Sequence, residues 1–160
     1  MKIYVAGPFF NPVQKEHALK VAKHLKDEMH EYFAPVEHMF VTGGKESVET
    51  VFERNVQEME ECDMLLAQLD YPTPAQTYVK LITPIPANDK VITHPDTGTV
   101  WEMGYAACME LPVIGYTTKK LTAMNLMLVR GCRGIVSDVF KYIDSGFDPN
   151  LEIPWEGKVI

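Results

Sequence analysis

Short apolar runs alternate with longer amphipathic segments along most of this chain. Ile3-Tyr-Val-Ala6 reads as a buried strand that ends at Gly7-Pro8, with Phe9, Phe10 and Asn11 following. Asn11 followed by Pro12 is a helix start, since Asn caps well and proline suits the first turn. Ala18, Val21, Ala22, Leu25 and Met29 then recur at helical spacing, with lysines on the other face. Tyr32-Phe-Ala-Pro-Val36 reads as a second strand, followed by a loop through Glu37, His38, Gly43 and Gly44. Ser47 is placed to cap a helix whose apolar stripe is Val48, Val51, Phe52, Val56 and Met59. Asp63 to Leu69 is a third strand, nearly continuous in apolar residues, as parallel strands buried on both faces are.

From residue 70 to 95 the regularity breaks. Prolines 72, 74, 84, 86 and 95 punctuate it, with room for a hairpin of Tyr78–Ile82 and Lys90–Thr93. A connection of this length inside one domain suits a lid or a functional insertion. It leads into Asp96-Thr-Gly-Thr-Val-Trp-Glu102-Met-Gly-Tyr-Ala-Ala-Cys108, a loop passing into a helix whose apolar residues leave no polar stripe, so burial on most sides is expected. A fourth strand over 112–116, a short helix near 123–129, a fifth strand over 134–137 and a helical turn over 139–143 complete the pattern. The tail carries Phe147, Trp155 and Val159, which suits packing on the body. The alternation predicts a single α/β domain over 1–160: a doubly wound, flavodoxin- or Rossmann-like sheet of about five parallel strands with helices on both faces. In such sheets ligands bind outside the carboxyl ends of the strands.

Composition narrows the function. With 15 Lys and Arg against 22 Asp and Glu the net charge is −7, which argues against a nucleic-acid surface. No apolar run approaches the roughly 18 residues that span a bilayer, and the opening residues read as a strand rather than a signal peptide. Cys62, Cys108 and Cys132 each sit in an apolar run, and are expected as core residues of a reducing, cytoplasmic protein. The five histidines show no metal-ligand spacing, so neither metal nor cofactor is expected.

Glu102 is the one charge on its helix before Glu110, and two readings of it stand. Thr99-x-x-Glu102 has the spacing of a capping box, with Thr99 as N-cap. Alternatively, Glu102 is a catalytic carboxylate in the first turn, in a partly dry crevice, kept ionised by the helix N-terminus. The Gly-rich phosphate loops and the Gly-x-Ser-x-Gly elbow are missing. Carboxylates and aromatics remain, a set suited to breaking a glycosidic bond. One carboxylate stabilises or traps the cationic sugar, a carboxylic acid protonates the leaving group, and aromatics stack on a leaving base.

Ile3-Tyr4-Val-Ala-Gly-Pro-Phe9-Phe10, Asn55 with Cys62-Asp63-Met-Leu-Leu, Asp96-x-Gly98-x-x-x-Glu102-Met-Gly-Tyr-Ala, Met124-Asn125-Leu-Met127 and the closing Trp-Glu-Gly-Lys-Val-Ile160 together resemble the nucleoside 2-deoxyribosyltransferases, in order over nearly the whole chain. The resemblance implies that Glu102 attacks the anomeric carbon of a 2′-deoxynucleoside, that Asp96 manages the proton of the base and that Tyr4 orients Glu102. It implies a substrate-binding set of Phe9, Phe10, Asn55, Gly98, Asn125, Met127 and Ile160. Asn125 would reach the sugar 5′-hydroxyl in a neighbouring subunit, so a homo-oligomer with shared sites is expected. Its small-molecule partners would be deoxynucleosides and nucleobases.

Three departures stand out. Asn55 replaces an Asp of better-known members, Met39 stands where a base-contacting Gln is expected, and the 70–95 segment is longer. Rival readings are an N-glycosidase, in which water resolves the same intermediate, and a non-catalytic nucleoside-binding module.

Overall fold

The computed structural model describes residues 1–41, 46–70, 95–118, 123–148, 150, 155 and 158–159. Five strands form the central sheet: β1 (Lys2–Ala6), β2 (Glu31–Phe33), β3 (Met64–Gln68), β4 (Val113–Tyr116) and β6 (Gly134–Val136). Their order is β2-β1-β3-β4-β6 and every pairing is parallel. This is the expected doubly wound α/β sheet, and the chain reverses its direction of travel between β1 and β3.

Alternation along each strand divides the core into two layers. Ile3, Val5, Met64, Leu66, Ile114, Tyr116 and Val136 face one layer, with α1 (Pro12–Asp27) and α6 (Val139–Asp144). Tyr4, Ala6, Leu65, Ala67, Val113 and Ile135 face the other, with α3 (Val48–Glu60), α4 (Thr97–Cys108) and α5 (Leu126–Gly131). Shifting β1 by one residue would exchange the two sets, moving Tyr4 to the α1 side.

Local caps act as the sequence predicts. The Asn11 side chain accepts from the Gln14 amide at 3.0 Å, with Pro12 behind it, and Ser47 Oγ accepts from the Thr50 amide at 3.1 Å. Three expectations are corrected. Residues 34–36 do not extend β2: the chain turns at Ala34 into α2 (Pro35–Val41), where a loop was expected. Pro35 fits because a first-turn residue has no helical partner for its N–H. Residues 123–129 are not one helix either. Ala123–Met124 form β5, Asn125 caps α5, and β5 pairs in parallel with β7 (Lys158–Val159), so the tail does return to the body. Trp155 packs against the α4-side layer.

The third correction concerns α4. It packs on the sheet through Thr99, Met103 and Ala106, whereas Val100, Trp101, Gly104, Ala107 and Cys108 are exposed. The helix is apolar all round but covered on one face only. Cys108 is therefore a surface residue, while Cys62 is buried, Cys132 is half-buried and all three are free thiols. Gly43, Gly44, His94, Ile160 and the hairpin and lid expected within 71–94 lie outside the described residues.

Candidate active site

The expected capping box is not the one that forms. Asp96, not Thr99, is the N-cap of α4: its carboxylate accepts from the Gly98 amide at 2.8 Å and the Thr99 amide at 3.3 Å, and from the Thr99 hydroxyl. A Cβ on Gly98 would stand 3.0 Å from Asp96 Oδ1, so glycine there lets the carboxylate fold back over the helix end. An Asp cap outcompetes Thr99 because it offers two acceptor oxygens to three donors. The helix consequently starts at Thr97, and Glu102 falls in its second turn rather than its first.

Glu102 shares the inward face of α4 with Thr99, Met103 and Ala106. Tyr4 on β1 donates its hydroxyl to Glu102 Oε1 at 2.7 Å, across 98 residues of sequence. Tyr4 is wholly buried, flanked in the sheet by Phe33 and Leu65, with the Phe33 ring 5.6 Å away. Burial and the neighbouring Glu102 charge hold the Tyr4 phenol far above its usual value, so it stays a donor. Burial also pushes the Glu102 carboxyl up to about 7; the Tyr4 hydrogen bond pulls it down and the Asp96 charge pushes it up. Any help from the helix N-terminus is outweighed by desolvation, which corrects the expectation of a fully ionised group.

Among the described residues, Glu102 and Asn55 are the two polar side chains lining a cavity of about 310 Å³ between α3 and α4, with Phe52, Val56, Met59, Gly98 and Trp101 as its other walls. The volume is at the lower end for small-molecule sites. Asn55 Oδ1 is buried without a hydrogen-bond partner. The Phe52 and Trp101 rings meet at 5.3 Å and Trp101 stacks on Tyr105, itself hydrogen-bonded to Glu60. Arg54, the cation nearest in sequence to Asn55, pairs with both oxygens of Glu46 at 2.7 and 2.6 Å.

Of the expected site residues, the structure brings Tyr4, Asn55, Gly98 and Glu102 together, with Asp96 close enough to act on Glu102 electrostatically. Phe9 and Phe10 lie on the turn after β1, stacked at 5.7 Å, and Phe10 is exposed. Asn125 caps α5 by accepting from the Met127 amide at 2.8 Å, and Met127 is exposed; neither joins the cavity of its own chain. Asp63, immediately before β3, accepts from the Lys2 amide at 2.7 Å. Sequence reasoning gave Phe52, Val56 and Met59 only as part of an apolar stripe; Met59 is core, and all three also line the cavity beside Asn55. Their spacing on one helix face was the available signal.

Fold and site define an α/β protein with a hydrogen-bonded carboxylate in a small crevice between two helices on one face of its parallel sheet. The fold is shared with a 2-deoxyribosyltransferase from Bacillus psychrosaccharolyticus, at 24% identity, 97% of this chain, 99% of that chain and a TM-score of 0.71. It is shared with a 2-desoxiribosyltransferase from Leishmania mexicana (20%, 87% and 75%, TM-score 0.51) and the CMP N-glycosidase BcmB from Clostridium botulinum (13%, 91% and 96%, TM-score 0.55). No curated protein matches the chain. The family described as nucleoside 2-deoxyribosyltransferase matches residues 3–147, and the chain belongs to that family. Its members are enzymes that act on nucleosides and nucleobases.

Proposed function

We propose that this protein moves 2-deoxyribose from a 2′-deoxynucleoside to another nucleobase. The observation that carries the reading is the Tyr4–Glu102 hydrogen bond at the wall of a largely apolar cavity, in a chain of this family. Ionised Glu102 attacks C1′, the new O–C1′ bond forms as the C1′–N bond breaks, and the base leaves with a proton from Asp96, which enters the step as the neutral acid and ends it as the ionised carboxylate that caps α4. A second base then reverses the steps with Asp96 taking its proton. Two inversions give net retention. Tyr4 fixes the carboxylate oxygen that does not attack, and a sugar hydroxyl satisfies Asn55 Oδ1. Phe9 and Phe10 offer stacking surface for the base.

Nucleosides fit better than nucleotides, because among the described residues no Lys or Arg lines the cavity and Arg54 is engaged by Glu46. The exposed apolar face of Phe52, Val100 and Trp101 supports a homo-oligomer, in which Asn125, Met127 and Ile160 would complete a site. A cytoplasmic location suits free thiols, and no described helix is long and apolar enough to cross a membrane.

The test is incubation with thymidine or deoxyinosine plus a second base, followed by chromatography. A new nucleoside is expected, and Glu102→Ala should abolish it; full activity in that variant would sink the assignment. Accumulation of free deoxyribose in the presence of acceptor base would instead identify the N-glycosidase named as the rival.

A further inference from the structure

On the α1 side of the sheet, the face opposite Tyr4, a group of buried polar residues gathers near the ends of β1 and β3, and the proposed chemistry does not use it. Gln14, Gln68 and Asp70 are buried to within 1% of complete, and Gln14 Nε2, His17 Nε2 and Gln68 Oε1 have no hydrogen-bond partner. Buried polar atoms are nearly always paired, so three orphans in one layer need a partner.

The orientations of the two amides are fixed by their neighbours. Gln14 Oε1 accepts from the Phe10 amide at 3.0 Å, which turns its NH2 away as a free donor. Asp70 is an acceptor for the Thr118 amide, 2.9 Å from each of its oxygens, and for the Thr118 hydroxyl. It also faces Gln68 Nε2 at 3.5 Å. A carboxylate cannot donate, so Gln68 must present its NH2 to Asp70 and turn its carbonyl away from it. That carbonyl lies against the turn after β1, where a Cβ on Gly7 would stand 3.3 Å from Gln68 Oε1. Gly7 follows β1 and Gln68 ends β3, the two strands between which the topology reverses. This is the crevice where doubly wound sheets hold their ligands.

We infer that Gln68 reads the nucleobase: its Oε1, locked as an acceptor by Asp70, takes an N–H from the base edge, so the site selects bases that carry such a donor. The inference rests on reading this site as one that handles nucleosides. Since Gln68 has no exposed surface, the Gly7–Asn11 turn, tied by the Phe10 amide to Gln14, lifts to admit the base. Gln14 Nε2 then supplies the complementary donor.

Equilibrium binding by calorimetry to the full-length Glu102→Gln variant tests this without turnover. Thymidine is compared with N3-methylthymidine, and 2′-deoxyadenosine with purine 2′-deoxyriboside; the second member of each pair has no base N–H. Loss of a hydrogen bond that leaves a buried acceptor unpaired predicts binding weaker by about 10- to 100-fold for both donorless ligands. Adding Gln68→Leu should bring each pair within about threefold. Asp70→Asn should do the same, because the freed Gln68 amide can turn, whereas Thr118→Val should preserve the preference. Equal affinities in both pairs, discrimination against the N3-methyl ligand alone, or a preference that survives Gln68→Leu would overturn the inference. Discrimination in a protein that exchanges no base leaves the Gln68 assignment standing and removes the transferase reading. Exchange without discrimination does the reverse.

Discussion

Glu102→Gln should make this protein more stable at alkaline pH, by an amount the site predicts. Burial raises the Glu102 carboxyl from an ordinary 4.5 to about 7 in the folded state. The folded form therefore holds its proton more tightly than the unfolded chain, and the stability this gives is fully present below pH 4.5. It is lost as pH rises, with the loss complete above about pH 7. A difference of about 2.5 pH units is worth about 3 kcal/mol. Glutamine keeps the neutral shape and an acceptor for Tyr4, and has no charge to bury. At pH 8 the variant should melt at a temperature higher by about 6–12 °C, taking roughly 2–4 °C per kcal/mol for a chain of this size. Near pH 4.5 the two proteins should nearly coincide. Urea or thermal denaturation followed by circular dichroism across pH 4.5–8.5 provides the measurement. A difference that does not change with pH, or a wild type that gains on the variant as pH rises, would refute the reasoning that desolvation dominates this carboxylate.

Further outcomes follow from the same contacts. Tyr4→Phe removes the hydrogen bond that holds the Glu102 carboxyl down, so the acid limb of the kcat/KM profile should move to higher pH; an unmoved limb with lowered kcat would assign Tyr4 to orientation alone. Asp96→Asn keeps a capping side chain and should change stability by only a few tenths of a kcal/mol, while Asp96→Ala should cost about 1 kcal/mol. Loss of base exchange in Asp96→Asn would then report proton transfer rather than capping. Gly115→Ala would place a Cβ 2.3 Å from Leu69 Cδ1 and 3.0 Å from Cys132 Sγ, and should destabilise by about 1–3 kcal/mol in urea titrations.

The sheet and its helices were legible because each rests on local rules. Asn11-Pro12 and Ser47 announce helix starts, and the near-continuous apolar run before Asp70 announces a strand buried on both faces. Pro35 misled because Tyr32-Phe-Ala-Pro-Val has strand-like apolar content, while the proline already occupies a helical first position. The site was legible in its members but not in its state. Tyr4 and Glu102 meet through tertiary structure, and the raised proton affinity of Glu102 depends on packing that no local pattern records. The choice between Asp96 and Thr99 as cap turned on a three-residue competition, and it moved Glu102 by most of a helical turn. Gln68 sits in what reads as a plain apolar strand; its oddity, a polar side chain in that run, was visible but had no partner in the sequence to give it meaning.

Tyr4 is rooted in β1, with a neighbouring strand on each side and no exposed surface. The group that steadies Glu102 thus belongs to the part of the molecule that opens last. Fraying of the tail or of the exposed helices does not release it, because amides of a central strand exchange with solvent chiefly through global unfolding. The working geometry of Glu102 is therefore tied to the cooperative unit of the fold. Heat should not erode it gradually: inactivation and melting should fall on one curve.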